Sequence, residues 1–282
     1  MKRKVLIALA GLFFLVGLGV LLYPTVRTAA FRQAEKSAIR QFEAYRAEGK
    51  TEGGQVEDAP EDLSQPVSDP DDAPVVEALR AFPELWEACV RYNTLLPETQ
   101  GSGLTAQSMA VPALDLAEYG WEQEVFACLS IPSADIETPL YLGADRSNLN
   151  QGGVILGQTS LPIGGESTHC VVGGHRTWNG ILHPFVSLEQ VQIGDLVYVT
   201  NPWETLTYRV IATDTISPND LEQIRIQPGR DLLSIFTCTY PNTRRVLVTC
   251  ERIYEKEETH EPDSGASPCH GAGANLHLRP EP

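Results

Sequence analysis

The sequence predicts a mainly β fold, a closed barrel or a sandwich of about seven strands, with helices before it. From about Trp121, short runs rich in Val, Ile, Tyr, Thr and Phe alternate with Gly, Pro and Asn. Only brief helices fit between these runs, near residues 146–151 and 186–190. The N-terminal part instead shows apolar residues at helical spacing. At 42% hydrophobic, the 282-residue chain has enough apolar side chains for a sizeable core.

The N-terminus carries an uncharged apolar run, residues 5–23, directly after the basic residues 2–4. At helical rise this run is long enough to cross a bilayer. A cleaved signal peptide is the alternative, but its apolar core is usually shorter and ends at small residues, whereas this run continues into Tyr23 and Pro24. We therefore expect a retained anchor, with residues 1–4 in the cytoplasm and the rest of the chain outside the cell.

A stalk helix is predicted over residues 24–49, and an acidic linker follows it. The helix has one apolar stripe, made of Phe31, Ala34, Ala38, Phe42 and Tyr45. Residues 50–74 are rich in Pro, Gly, Asp and Glu and contain few large apolar residues, which is typical of a disordered segment.

Residues 75–120 form a helical region that is also the candidate for a lid. A second helical pattern puts one apolar face on Leu79, Phe82, Trp86 and Val90. Pro83 either kinks this helix or marks its start.

The β region is predicted over residues 121–256. Its candidate strands are VFACLSI (125–131), PLYL (139–142), HCVVGG (169–174), DLVYVT (195–200), TLTYRVIATDTI (205–216), LLSIFTC (232–238) and VLVTCERIY (246–254). The polar, acidic tail, residues 257–282, contains no second apolar span, so one membrane crossing is expected.

Charge and cysteine content narrow the functional classes. The net charge of −16 argues against nucleic-acid binding, which needs a basic surface. The six cysteines show no tight spacing, and several lie inside apolar runs. Cys128, Cys170 and Cys250 are therefore expected to be buried free thiols, although one disulfide pair stays open as an alternative.

Four residues at predicted strand ends are candidates for chemistry. His175 follows a strand and a Gly pair, Cys238 ends the strand SIFTC, and Arg244 and Arg245 begin the next strand. A cysteine attacks an amide as the thiolate, a histidine can protonate the leaving amine, and an arginine can stabilise the oxyanion. Because side chains alternate along a strand, only one of the two arginines faces Cys238, and parity alone does not say which.

These motifs resemble those of the sortases, the cysteine transpeptidases of Gram-positive cell surfaces. The likeness rests on THCVVGGHR (168–176) and SIFTC…RR (234–245). With TSLPIGGESTHCVVGGHR (159–176) and NPWETLTYRV (201–210), the set is similar to the class B and C sortases, especially the pilus-type class C enzymes. The resemblance implies a closed mixed β-barrel of about seven to eight strands with short helices, preceded by the N-terminal helices and the transmembrane helix.

The resemblance also implies roles for individual residues. Cys238 matches the nucleophile, His175 the catalytic histidine, and Arg245 the catalytic arginine, which would settle the parity question. Thr237, before the nucleophile, and His169, upstream of the catalytic histidine, are implied to help bind the substrate. Only Thr237 and Cys238 of the family's TLxTC motif are retained in SIFTC.

The implied reaction cleaves an LPxTG-like sorting signal through a thioester on Cys238 and transfers it to an amine. For pilus assembly the amine is a pilin lysine, and for wall anchoring it is a peptidoglycan precursor. No cofactor is implied. The loops 218–230 and 239–243 would form the rim of the substrate groove. Hydrolysis by a plain cysteine peptidase and a non-catalytic surface binding module remain as alternatives.

The sequence departs from the family pattern at two places that bear on the site. The segment from the cysteine to the arginine, TYPNTR, is shorter than the usual TPYGxNxHR, which affects the shape of that loop. Residues 104–120 lack the Asp-Pro-aromatic triplet of class C lids. Either the lid is absent, or it plugs the groove weakly through Met109 or a neighbour.

Two further motifs are not expected to be functional sites. LPIGG (161–165) looks like a sorting signal but is not followed by an apolar span and basic tail, so we interpret it as a turn between strands. Cys269, His270 and His277 lack the regular spacing of a metal site, and no metal is expected.

Overall fold

The computed structural model describes residues 2–52, 80–101 and 104–254. Its strands are β1 (Val125–Ile131), β2 (Ile136–Leu142), β3 (Gly153–Ile155), β4 (Thr168–Gly173), β5 (Thr177–Trp178), β6 (Ile181–Leu182), β7 (Leu196–Thr200), β8 (Thr205–Ile216), β9 (Asp231–Cys238) and β10 (Arg245–Arg252). Its α-helices are α1 (Lys2–Glu52), α2 (Pro83–Thr99), α3 (Ala106–Ala110) and α4 (Arg146–Leu149). Short 3₁₀ helices span Leu116–Tyr119, Pro132–Ala134, Pro184–Gln190 and Glu222–Ile224.

Eight strands close into a barrel in the order β1-β2-β3-β4-β9-β10-β8-β7. The pairs β2–β3 and β4–β9 are parallel and the others are antiparallel, so the barrel is mixed. Strands β5 and β6 form a separate hairpin. The prediction of a closed mixed barrel with short helices is confirmed.

The strand predictions were right for seven of the eight barrel strands and missed β3 and the β5–β6 hairpin. β3 has three residues and the hairpin strands two each, too short for an alternating pattern to be recognised. β2 begins at Ile136, three residues earlier than expected, because the strand continues through Pro139. The predicted helices near 146–151 and 186–190 correspond to α4 and to a 3₁₀ helix.

Both faces of part of the barrel wall are buried. Side chains such as Ile155, Val172 and Ile235 fill the barrel interior. On the opposite side of the same strands lies a second apolar group, which we call the outer-face cluster. Its buried members are Leu104, Val154, Leu156, Val171, Ile224 and Leu247. Such continuous burial explains why these strands are nearly all apolar.

Helix α1 is continuous and includes both the predicted anchor, residues 5–23, and the predicted stalk. Among the described residues, it is the helix that is long and apolar enough to cross a membrane. Its second half packs on the barrel. The predicted stripe was wrong at Ala34, which is exposed, because the contact face contains Glu35 and Ile39.

Helix α2 begins at Pro83, which favours the interpretation of this proline as a helix start. The predicted apolar face is only partly correct, because Val90 is exposed. The buried stripe contains Leu85, Cys89 and Leu96 instead. Leu79 lies outside the described residues.

The predicted linker start at residue 50 was wrong, since residues 50–52 belong to α1, which continues to Glu52. The remaining linker, residues 53–74, and the tail, residues 257–282, lie outside the described residues, as do Cys269, His270 and His277.

The five described cysteines, Cys89, Cys128, Cys170, Cys238 and Cys250, are free thiols. Cys170 and Cys250 are buried as predicted, and Cys128 is partly buried. Within the described part of the chain, the open alternative of a disulfide is therefore not realised.

Glu35 is a buried carboxyl at the contact between α1 and the barrel. It is 4% exposed and accepts a hydrogen bond of 2.8 Å from the hydroxyl of Thr138 on β2. Burial raises the pKa of Glu35 from 4.5 to about 7, and the hydrogen bond opposes this only in part. Because the pKa is higher in the folded state, the contribution of Glu35 to stability is fully present below about pH 4.5 and is lost as pH rises through about 7.

We expect Glu35→Gln to remove this pH dependence, since the amide stays neutral. Between about pH 5 and pH 8, the free energy of unfolding of the native protein should fall by up to about 3 kcal/mol relative to the variant. Chemical denaturation in detergent micelles at both pH values measures this difference. Glu43→Gln, at an exposed position on the same helix, is the control. Equal pH dependence in the native protein and Glu35→Gln would contradict the prediction.

Candidate active site

The register of β9 and β10 decides which arginine faces Cys238. Cys238 pairs directly with Arg245 across the two antiparallel strands. Directly opposed residues put their side chains on the same face of a sheet. The neighbouring Arg244 points away, and its guanidinium donates a hydrogen bond of 2.6 Å to the carbonyl of Thr215 on β8. Arg245 is therefore the arginine that shares a face with Cys238.

The parallel pairing of β4 and β9 brings His175 to the same edge of the barrel. Gly173, the last residue of β4, is aligned with Phe236; the chain reaches His175 two residues later, and β9 ends at Cys238 two residues after Phe236. Two hydrogen bonds tie these ends together. The amide of Gly174 donates to the carbonyl of Phe236 at 3.2 Å, and the hydroxyl of Thr237 donates to the carbonyl of Gly174 at 2.8 Å. Three adjacent strands thus deliver His175, Cys238 and Arg245 to one edge.

Thr237, predicted to help bind the substrate, is fully buried in the structure. Its hydroxyl is used by the hydrogen bond to Gly174, which connects the segment before His175 to the end of β9. Its contacts are therefore those of a residue that positions its neighbours, and its side chain is not open to a substrate.

His169, the second predicted substrate-binding residue, is also fully buried. Burial lowers its pKa to about 4, so the ring is neutral at neutral pH. Nδ1 lies 2.8 Å from the carbonyl of Arg225, which only accepts, so Nδ1 carries the proton. Nε2, 2.8 Å from the hydroxyl of Ser234, then accepts from it. His169 thus fastens the loop 218–230 to the barrel, and its ring is closed to a substrate.

The His175 ring lies between two other rings. It stacks on Trp178 with a centroid distance of 5.0 Å and an interplanar angle of 6°. The ring of His183 meets it edge-on at 5.6 Å and 83°. Burial lowers the pKa of His175 below its ordinary value of 6.5, so the neutral ring, a proton acceptor, predominates at neutral pH.

The short loop between Cys238 and Arg245 is closed by its own hydrogen bonds. The amide of Thr239 donates to the carbonyl of Arg244 at 3.0 Å, and its hydroxyl donates to the carbonyl of Pro241 at 3.1 Å. Tyr240 is 89% exposed at this edge. The shortened segment therefore still joins the two strands in register, and it carries an exposed aromatic side chain two residues after Cys238.

The outer-face cluster leads along β9 and β10 towards Cys238. Phe236 pairs with Leu247, and two residues further on Cys238 pairs with Arg245 on the same face. Phe236 packs against the cluster. The strands thus form an apolar surface that ends at the thiol.

The candidate lid lies over part of this surface. Met109 packs against the outer-face cluster, and its carbonyl accepts hydrogen bonds of 3.0 Å from the amides of Ala144 and Gly157. A side chain at Gly157 would collide with the backbone carbonyls of Ser108 and Val111, so glycine permits the close approach. Met109 therefore lies against the apolar group that extends along β9 and β10 towards Cys238.

Sequence reasoning named the three chemical groups but missed the residues around them. Trp178 and His183 were not identified, because aromatic residues near a histidine carry no distinctive spacing in sequence. Ser234 and Tyr240 were likewise overlooked. LPIGG lies in the connection between β3 and β4, as the turn interpretation requires. Among the described residues, no group of three or more His, Cys, Asp or Glu side chains is arranged to hold a metal.

A thiol, an imidazole and a guanidinium at one edge of a closed barrel form the side-chain set that cysteine-dependent acyl transfer uses. Comparison with known proteins agrees with this class. The family model of the sortase domain matches residues 129–253. Sortase A of Streptococcus agalactiae serotype III (strain NEM316) is 26% identical over 130 residues, which cover 45% of this chain and 52% of that protein.

Two solved structures share the fold over most of their length. Sortase C1 of Pilus Island 1 of group B Streptococcus is 28% identical with a TM-score of 0.54, covering 61% of this chain and 89% of that one. A lid mutant of sortase A from Corynebacterium diphtheriae is 31% identical with a TM-score of 0.52, covering 63% of this chain and 96% of that one. The chain belongs to the sortase family. It spans about half the length of the curated relative described above.

Proposed function

We propose that this chain is a membrane-anchored sortase that cleaves an LPxTG-like signal and transfers it to an amine. The observation that carries the proposal is the direct pairing of Cys238 with Arg245, next to the parallel strand that ends before His175. The apolar N-terminal run of α1 supports an anchor with the barrel on the outer side of the cell membrane. The domain boundaries at residues 24, 75, 121 and 257, and a boundary after Glu52 in place of residue 50, are part of this proposal.

The first half of the reaction forms a thioester. The neutral ring of His175 accepts the proton of the Cys238 thiol as the sulfur attacks the carbonyl carbon of the signal's threonine. Arg245 stabilises the tetrahedral oxyanion. When this intermediate collapses, the Thr–Gly bond breaks and His175 gives its proton to the leaving glycine amine.

The second half transfers the acyl group. An incoming amine attacks the thioester, His175 accepts a proton from that amine, and the sulfur leaves as the thiolate. The proton then returns from His175 to Cys238, which restores the starting state. If water attacks instead of the amine, the product is a free acid and the protein acts as a peptidase.

We favour a pilin lysine as the acceptor. The motif likeness to class C enzymes and the match to a pilus-island sortase C1 support it. Wall anchoring through a peptidoglycan precursor is the second candidate, supported by the matches to proteins named sortase A. A non-catalytic binding module is disfavoured because the thiol, imidazole and guanidinium are all present at one edge. Nucleic acid is not an expected partner.

Incubation of the full chain in detergent micelles with an LPxTG-containing peptide tests the function. Intact-mass analysis should show an adduct with the mass of the peptide up to its threonine, located on Cys238 by digestion. Adding a pilin-derived lysine peptide or a short amine that mimics the wall precursor should release the adduct as an amide, and the faster amine identifies the acceptor class. An absence of adduct with any signal-like peptide would favour the binding module.

A further inference from the structure

The β5–β6 hairpin is too small to hold its own position. Each strand has two residues, and the turn between them is made by Asn179 and Gly180, both with positive φ, 48° and 76°. An isolated two-stranded hairpin is marginally stable at best. Its orientation therefore depends on what packs against it.

Helix α1 holds one side of this hairpin. The guanidinium of Arg27 donates to the carbonyl of Asn179 at 3.4 Å, and the hydroxyl of Thr28 accepts from the amide of Leu182 at 3.5 Å. One turn further along the helix, the ring of Phe31 meets that of His183 with a centroid distance of 4.3 Å. Arg27, Thr28 and Phe31 of α1 thus contact the hairpin and the residue that follows it, His183.

The other side of the hairpin holds His175. Trp178 of β5 stacks on the imidazole, and His183 contacts its edge. Because His183 also touches Phe31, an unbroken series of ring contacts joins α1 to His175. His183, the central ring of this series, is 2% exposed, and the rings of Phe31, His175 and Trp178 around it are partly buried.

We propose that α1 is a positioning element of the active site: Phe31 acts on the His175 ring through His183, and the contacts of Arg27 and Thr28 with the hairpin hold Trp178 against the same ring. The inference rests on the proposed function, in which His175 exchanges protons with the thiol and the amine. Proton transfer needs the imidazole within hydrogen-bond reach of both, so a loose ring slows each half of the reaction. Phe31, Trp178 and His183 do not themselves transfer protons.

The position of Phe31 links catalysis to the anchor. It follows Tyr23, the end of the apolar run, by eight residues, which is about 12 Å along a helix. In the anchored protein, the contacts that orient His175 therefore lie close to the membrane surface. An enzyme whose stalk helix separates from the barrel would lose catalytic rate before it loses its fold.

The environment of His175 supplies a readout that is independent of activity. The titratable and charged groups on the elements around it are His183, Arg146, Arg176, Glu189, Cys238 and Arg245. Burial lowers the pKa of His175, and burial together with His175 lowers the pKa of His183 to about 4. When the ring packing is loosened, water reaches His175 and its pKa rises towards 6.5.

The test uses the full chain in detergent micelles with isotope-labelled histidine, and NMR titration of the ring signals. His175→Gln assigns the signal. We expect Phe31→Ala and Trp178→Ala to raise the pKa of His175 and to lower the kcat of adduct formation about three- to tenfold with little change in KM. Gln33→Ala, on the exposed face of α1, should change neither quantity.

A second control loosens α1 far from the hairpin. Tyr45 packs on Phe82 and Trp121, so Tyr45→Ala should reduce stability without changing the His175 titration. If Phe31→Ala leaves the titration unchanged, or if Tyr45→Ala changes it equally, the inference is wrong. If the titration changes as expected but the native protein forms no adduct, the positioning holds and the proposed transpeptidation fails.

Discussion

The Cys238→Ala variant is expected to form no peptide adduct, a loss of more than about 10⁴-fold in rate. No other described thiol can replace it. Burial raises the pKa of Cys89 to about 12 and raises those of Cys128, Cys170 and Cys250 as well. These thiols stay neutral, and Cys89, Cys170 and Cys250 are also buried, whereas Cys238 is partly buried at the edge of the barrel beside Arg245. Intact-mass analysis after incubation with the LPxTG peptide measures the effect.

The matched control is Cys128→Ala, which removes a partly buried thiol from β1. It should retain activity within about threefold. Since Cys238 lies at a strand end, the free energy of unfolding of Cys238→Ala should lie within about 0.5 kcal/mol of that of the native protein. An adduct that persists in Cys238→Ala at an unchanged rate would mean that another group is the nucleophile and that the proposed mechanism is wrong.

The sequence predicted the barrel well where its strands are long. β8, β9 and β10 each have eight or more residues with strong β-forming composition, and their bounds lie within two residues of the predicted ones. The sequence did not predict β3, because a strand of three residues forms only through pairing with its neighbours, here β2 and β4. Those neighbours cannot be read from the periodicity of the sequence.

The sequence named a set of candidate site residues but not their geometry. The alternation of side chains along a strand did not decide which of Arg244 and Arg245 faces Cys238. The register of the β9–β10 hairpin decides it. Register depends on the loop, and this loop is shorter than the family pattern that supplied the expectation. The resemblance named Arg245 as the candidate, and the pairing puts that residue, not Arg244, on the face of Cys238.

The burial of polar residues was the least predictable feature. His169 and Thr237 resemble surface groups that could meet a substrate, yet both are fully buried and hydrogen-bonded within the protein. Glu35 was hidden in the same way, between the apolar positions of the α1 stripe. Sequence shows which side chains can form hydrogen bonds but not which loop or strand will cover them, because distant segments supply the partners.

Arg245→Ala should lower kcat/KM for adduct formation by about 10²- to 10³-fold, the usual cost of losing an oxyanion donor. Arg244→Ala is the matched control, because it removes the same charge from the adjacent position but on the opposite face. The guanidinium of Arg244 donates a hydrogen bond to the carbonyl of Thr215, so the activity of Arg244→Ala should stay within about threefold of the native value. Equal losses in both variants would show that general charge, and not the pairing with Cys238, is what matters.

Two roles are possible for Arg245, oxyanion stabilisation and binding of the signal peptide. The separate changes in kcat and KM of Arg245→Ala distinguish them. If its guanidinium stabilises the oxyanion, kcat falls with little change in KM, since that charge exists only in the transition state. If it holds the signal peptide, KM rises and kcat is nearly preserved. Arg245→Lys keeps the charge but not the planar set of donors, so it should recover only part of the rate. Full recovery with lysine would mean that a point charge beside Cys238 is sufficient.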